Sequence, residues 1–243
     1  MTKSDGTQTY YSKSLNTKEI KLFNNLDLYL IELPEIWDEI QISEAIDEYT
    51  VPKDRDYVFY QQRINTFFVR FKNLEGEFSL CGSGLLALAR HLFSTKKFDE
   101  NYISFRTNLD RFFKANLIDN IVSLELVKTP TTKINQNTWL TNSGVYIQEL
   151  LKSELEKLTL NDAKNFPKIN NLNHLIGGYC AFSRDNDILH IRYFSPWHGR
   201  DEDFATLSIF EHLSDLLEIG KYTIYQNEHQ YSCVVGEKSV SIS

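Results

Sequence analysis

The sequence predicts a mixed α/β protein made of two similar halves, and two stretches carry that prediction. Glu77-Phe78-Ser79-Leu80-Cys81-Gly82-Ser83-Gly84 reads as a strand end followed by a glycine turn, and Leu85 to Phe93 continues as an apolar helix. Ile188 to Phe194 alternates as a strand, Ser195 to Asp203 is a polar loop, and Phe204 to Leu217 is a second apolar-rich helix that ends near Gly220. Two strand–loop–helix units about 120 residues apart read as a duplicated architecture with one helix at the heart of each half.

Taken in order, residues 1–17 are polar and without periodicity, the pattern of a loose arm. The first half is expected over 18–128 with its central helix at 83–95. Ile20 to Leu33 reads as strands around Asn24-Asn25, and Pro34 to Tyr49 as a helix that buries Ile36, Trp37, Ile40, Ile42, Ala45 and Ile46 on one face. Strands follow at 57–62 and 64–72, and a run of them from Tyr102 to Val127. Thr129-Pro130-Thr131-Thr132 marks the boundary, and the second half covers 129–243 with its central helix at 204–218. Gly144 to Leu158 carries a helical pattern, Lys164 to Asn173 is polar, and Leu175 to Phe182 is a strand. Tyr222–Tyr225, Tyr231–Val235 and Val240–Ile242 are closing strands.

Composition narrows the function classes. Apolar residues make up 42% of the chain and charged ones 24%, enough for a core and against disorder. A net charge of −7 speaks against general nucleic-acid binding. No apolar run is as long as a membrane span, and the N-terminus lacks a signal-peptide pattern. Three isolated cysteines, Cys81, Cys180 and Cys233, give neither a disulfide framework nor a metal spacing, which fits a cytoplasmic protein. The six histidines form no metal-ligating pattern, and the glycines fit no nucleotide-binding loop, so no metal and no cofactor is expected.

The two helix starts carry the candidate chemistry. A buried helix entered through Gly82-Ser83-Gly84 points backbone N–H groups and a positive dipole end at its entrance, an arrangement that favours an anion. The same stretch also reads as a core helix with a small-residue entrance. Cys81 at such a helix start reads either as a thiol of lowered pKa or as an inert buried one. Asp203 is placed as an N-cap of the second helix or as a group that looks into a site there.

These two stretches resemble the phenazine-biosynthesis isomerase (PhzF-like) family. Arg192, Phe194, Pro196, Gly199, Glu202, Asp203, Ala205, Thr206 and Ser208 fall in register with that family's R-F-F-x-P…G…E-D-P-A-T-G-S-A signature. Glu77, Leu80, Cys81, Gly82, Leu86 and Ala87 match its E-x-x-L-C-G-H-A-T-L-A segment, and Cys81-Gly82-Ser83-Gly84 is similar to the Cys-Gly-Asn-Gly motif of epimerases in the same superfamily. The resemblance covers roughly residues 18–243 and implies the diaminopimelate epimerase-like fold: each half a mixed, mostly antiparallel sheet wrapped around its central helix, with the site at the helix N-termini.

What the resemblance implies for chemistry is a cofactor-independent isomerase that moves a proton on a small unsaturated or amino carboxylic acid. Asp56 stands where the family has its acid/base glutamate; being one methylene shorter, it sets the carboxylate back by about 1.5 Å, a displacement that can cost on the order of 100-fold in rate. Asp56 reads equally as a strand-entry residue bonded to nearby backbone. Asp203 is the second catalytic position. Cys81, Gly82, Ser83, Gly84, Thr206 and Ser208 are the substrate-binding positions, and Glu77 is a supporting carboxylate held by the opposing helix turn. Thr206 replaces the second thiol of the two-thiol epimerases, which removes that mechanism. Asn25 matches one residue of a family Gly-Asn-Pro, and His198 lies in the loop facing the site. The partner expected is a carboxylate-bearing metabolite, and the resemblance is compatible with a homodimer. Ser83 for histidine, Leu207 for glycine and Asp56 for glutamate keep a second reading open: a degenerate relative that binds a ligand or a protein without turnover.

Overall fold

Parallel strand pairing requires a crossover, and every crossover in this chain carries a helical segment. In the computed structural model, which describes residues 16–23, 26–49, 55–64, 66–95, 100–169, 177–196, 200–203 and 206–243, strand β2 (Leu26–Glu32) runs parallel to β3 (Asp56–Arg63) with Leu28 opposite Asp56. Helix α1 (Glu39–Glu48) makes that crossover. Strand β4 (Thr66–Asn73) is antiparallel to β3 on one edge. On its other edge it meets the short β5 (Gly76–Phe78) and, in parallel, β6 (Tyr102–Thr107). Helix α2 (Gly82–Thr95) is the β5-to-β6 crossover. Strands β1 (Asn16–Phe23) and β7 (Phe112–Ile118) extend the sheet antiparallel to β2 and β6. These elements form one unit, Met1–Ile118.

The second unit, Asp119–Ser243, repeats the plan. Strand β10 (Thr138–Leu140) is antiparallel to β11 (Val145–Glu149), which runs parallel to β12 (Gly178–Asp185). Strand β13 (Ile188–Ser195) is antiparallel to β12 and shares its other edge between β14 (Arg200–Asp203) and the parallel β15 (Gly220–Gln226). Strand β16 (His229–Val235) continues antiparallel. Strand β17 (Ser239–Ile242) then joins it to β8 (Ile121–Val127), and β9 (Thr132–Asn135) flanks β10. Helices α3 (Lys152–Leu155) and α4 (Leu160–Ile169) make the β11–β12 crossover. A segment of 3-10, α and 3-10 turns over 207–216, whose α-helical part is α5 (Phe210–Leu213), makes the β14–β15 crossover. The sequence reading set its boundary at Thr129-Pro130; the strand before that point, β8, pairs with β17.

Strand alternation sorts the helices by face. Tyr57 and Phe59 of β3 pack with Ile42 and Ile46 of α1, whereas Val58, on the other face, touches α2 at Gly84. In the second unit Tyr179 and Ala181 of β12 pack with Leu155 of α3 and Ala163 and Phe166 of α4. Tyr231, on the face away from that cluster, meets the Phe210 ring at 5.9 Å. Each sheet therefore carries a helical crossover on both faces. Leu85, Leu86, Leu88 and Leu92 of α2 are all buried, at about 1.5–3 kcal/mol for each such side chain. Apolar residues on nearly every side of α2 are what a helix enclosed by a sheet requires.

Several sequence expectations change. Of the arm expected over 1–17, Asn16 and Thr17 belong to β1 and the rest lies outside the described residues, as do Asn25, His198, Gly199 and Ala205. Helix α1 starts at Glu39 and buries Ile42, Ala45 and Ile46, while Ile36 and Ile40 are 90% and 70% exposed. Asp38 sets that start, because its carboxylate accepts from the Ile40 and Gln41 amides at 3.0 and 2.9 Å. The helical pattern read over 144–158 is strand β11 followed by α3, and the polar stretch from Lys164 lies in α4. The helix expected at 204–218 starts instead at Leu207 and is mostly 3-10. Asp203 is accordingly no N-cap: it ends β14, paired with Tyr193 of β13.

Candidate functional site

In the first unit, β3 begins where α2 begins. Asp56 is the first residue of β3 and is 5% exposed. Cys81 is the cap residue of α2: its carbonyl accepts from Leu85 N at 2.9 Å, and its sulfur accepts from Gly84 N at 3.2 Å. A thiol thus stands where Ser, Asp or Asn usually caps a helix. Cys81 Sγ lies 3.6 Å from Asp56 Oδ2 and 3.3 Å from Ser83 Oγ. Gly84 allows this approach, since a Cβ there would sit 2.8 Å from Val58 Cγ2 and 3.1 Å from the Cys81 sulfur. Asp56, Cys81, Gly82, Ser83 and Gly84 are therefore one buried cluster at the start of a 14-residue helix.

Glu77 does not join them. It is exposed, forms a two-pronged ion pair with Arg70 of β4, and accepts from Asn108 Nδ2 at 2.8 Å. Its role is to tie β5 to β4 and to the β6–β7 turn, so the expected hold by the opposing helix turn is replaced by these partners.

In the second unit Gln226 of β15 bridges the end of β14 and the residue that precedes the 207–216 segment. This fully buried amide donates to the Asp203 carbonyl at 2.7 Å and accepts from Thr206 N at 3.1 Å. The Tyr231 hydroxyl donates to the same Gln226 oxygen at 2.8 Å. Thr206 is buried, Leu207 is buried, and Ser208 is half-buried in the first turn. Arg192 makes a bidentate pair with Glu202 at 2.8 and 2.7 Å and also donates to the Leu158 carbonyl, fastening β14 to β13 and to the α3–α4 turn. Gln226 was missed in the sequence. The signal was there: the β15 alternation puts Gln226 on the buried face with Tyr222 and Ile224, and a polar side chain at a core position needs partners.

The remaining thiols sit in the core of the second unit. Burial pushes Cys180 well above the ordinary thiol range and Cys233 up to about 12, so both stay protonated. Burial, with Asp203 and Cys180 nearby, raises the Tyr193 and Tyr231 hydroxyls as well. Among the described residues no group of three His, Cys, Asp or Glu side chains is placed to hold a metal ion. None of the described helices is long and apolar enough to cross a membrane.

No protein-family model matches the sequence, and no curated protein matches it. Solved structures do. A phenazine biosynthesis protein of the PhzF family from Enterococcus faecalis superimposes with a TM-score of 0.68 at 18% identity, covering 89% of this chain and 88% of that one. The fold is that of the PhzF proteins. A PhzC/PhzF protein from Clostridium difficile gives a TM-score of 0.68 at 17% identity, over 94% of this chain and 92% of that one. A hydroxyproline epimerase from Agrobacterium vitis gives 0.56 at 13% identity, over 94% and 86%. The PhzF fold thus extends over nearly the whole chain, although few residues are shared.

Proposed function

We propose that this chain is a cofactor-independent isomerase that shifts a proton on a small unsaturated or amino carboxylic acid. The observation that carries this reading is the burial of the Asp56 carboxylate beside the thiol that caps α2. In the reaction the Asp56 carboxylate takes a proton from a carbon next to the substrate's conjugated system. The electron pair left behind spreads into that system, and protonated Asp56 then returns the proton to another carbon on the same face. The Gly82 and Ser83 backbone N–H groups, at the positive end of α2, suit the substrate's carboxylate, while the Gly84 N–H is engaged by the Cys81 sulfur. For the second unit, the resemblance makes Asp203 a catalytic position and Thr206 and Ser208 substrate-binding ones. A hydroxyproline epimerase of the same fold binds trans-4-hydroxy-L-proline, which supports a substrate of amino-acid size. Thr206 in place of a second thiol argues against two-thiol epimerisation, because a hydroxyl is no base near neutral pH.

The test is isotope incorporation. The protein and its Asp56→Asn variant are incubated in deuterated water with host-cell extract and with a panel of small unsaturated and amino carboxylic acids, then compared by mass spectrometry. The expected result is a compound that gains one deuterium or changes isomer with the unmodified protein alone. Equal behaviour of the two proteins across extract and panel would reject the reading. If both then bind a panel acid equally, the chain is a ligand-binding module.

A further inference from the structure

The thiol at the head of α2 has one proton, and Gly84 N, Ser83 Oγ and Asp56 Oδ2 stand within reach of it. Gly84 N–H donates to the sulfur, so it cannot receive that proton. Ser83 Oγ, at 3.3 Å, can donate or accept, whereas an ionised Asp56 Oδ2, at 3.6 Å, only accepts. A charged carboxylate oxygen is the stronger acceptor of the two. The order that uses these three groups has Ser83 O–H and Gly84 N–H donating to the sulfur and the thiol donating to Asp56. Donors that arrive at the sulfur polarise its S–H bond and strengthen the last link.

We propose that Cys81 is the positioning residue for Asp56, with Ser83 orienting the thiol. The S–H fixes the carboxylate against β3 and favours its ionised form, so that Asp56 rests as a base. This deepens the reading of Asp56 as the acid/base and gives Cys81 a task that acts through that carboxylate. Ionisable residues on neighbouring elements, which these variants leave unchanged, include Arg55 beside Asp56, Glu32 of β2 with Tyr60 of β3, Lys72 of β4, Lys114 of β7, and Arg90 and His91 of α2. Tyr60 bonds to Glu32, four residues along the strand from Asp56. Lys72 points to the α1 side of the sheet, where it donates to the Ile46, Asp47 and Tyr49 carbonyls.

The experiment reads Asp56 directly. Protein carrying carbon-13-labelled aspartate is titrated by NMR, with the Asp56 carboxyl signal assigned by its loss in Asp56→Asn. Cys81→Ala removes the donor and is expected to raise the Asp56 midpoint by about one pH unit. Cys81→Ser, which keeps a donor, is expected to restore most of the difference. Ser83→Ala keeps the thiol but removes its orienting hydroxyl, giving a smaller rise, and it carries the test if Cys81→Ala fails to fold. A midpoint that stays the same in the Cys81→Ala and Ser83→Ala variants overturns the proposal. The acid limb of any proton-shift activity should move upward with the midpoint. A shifted midpoint in a protein without turnover would sink the isomerase reading and leave the thiol–carboxylate pair standing; turnover with an unshifted midpoint would do the reverse.

Discussion

Gly84 marks the closest approach of α2 to β3, and its missing side chain is what lets Cys81 and Val58 share that space. An alanine there gains up to ~1 kcal/mol in helix propensity. Its methyl group, however, would lie 2.8 Å from Val58 Cγ2 and 3.1 Å from the Cys81 sulfur, an overpacking that costs about 1–3 kcal/mol. Gly84→Ala is therefore expected to lower stability by roughly 1–2 kcal/mol, seen as an earlier urea midpoint with an unchanged slope. A variant as stable as the parent would show that the strand and helix can move apart. At this scale the start of α2 was legible, because two glycines and a serine precede an apolar run. The Glu77 carboxylate was not, because nothing local announces its partners Arg70 and Asn108, which lie on other strands.

Among the elements, the end of β14 and Thr206 are bridged by one side chain from another strand. Replacing Gln226 with leucine takes a partner from the Thr206 amide, the Asp203 carbonyl and the Tyr231 hydroxyl together. At about 1–3 kcal/mol for each buried unsatisfied group, with the half-buried carbonyl able to reach water, Gln226→Leu should cost on the order of 3 kcal/mol. Gln226→Glu sets an acceptor against the Asp203 carbonyl and buries a charge, so denaturant melts at neutral pH should place it well below the parent too. Equal stability of all three would remove Gln226 from this role. The same contacts explain why the second helix was misread. Its apolar spacing is helical, but Asp203 is drawn into a strand by Tyr193 and the Thr206 amide bonds to Gln226, and the helical segment is the one that starts at Leu207. Over 144–158 the apolar residues fit a helix as well as a strand. Parallel pairing of Val145–Glu149 with β12 decides the matter, and no local pattern reports a partner more than 30 residues away.

Across the molecule, buried acids make stability depend on pH. In the second unit Cys180, Cys233, Tyr193 and Tyr231 all have folded-state values above the ordinary 9.0 for thiols and 10.0 for tyrosines, chiefly through burial. In the first unit burial and the neighbouring Glu32 raise Tyr60 as well. The contribution of these groups is intact below pH 9 and is lost as pH rises, because the unfolded chain then releases protons that the folded one holds. Each held proton steepens the loss by about 1.4 kcal/mol per pH unit. Urea melts between pH 8 and 11 should show stability falling from pH 9 onward, with a later onset in a Cys180→Ala, Cys233→Ala double variant. Flat stability over that range would contradict the burial of these groups. At this scale the duplicated plan was legible from two strand–helix stretches, since each marks a crossover that a parallel pair needs. The placement of β8 was not, since its partner is β17. That pairing also bears on how the protein is made. Val127 lies opposite Ser239, about 110 residues further along, so the second sheet has an open edge throughout synthesis of everything between them. A ribosome-bound chain halted before β17 would expose Leu124 and Leu126 as an unpaired strand, a ready substrate for chaperones and for association with other nascent chains.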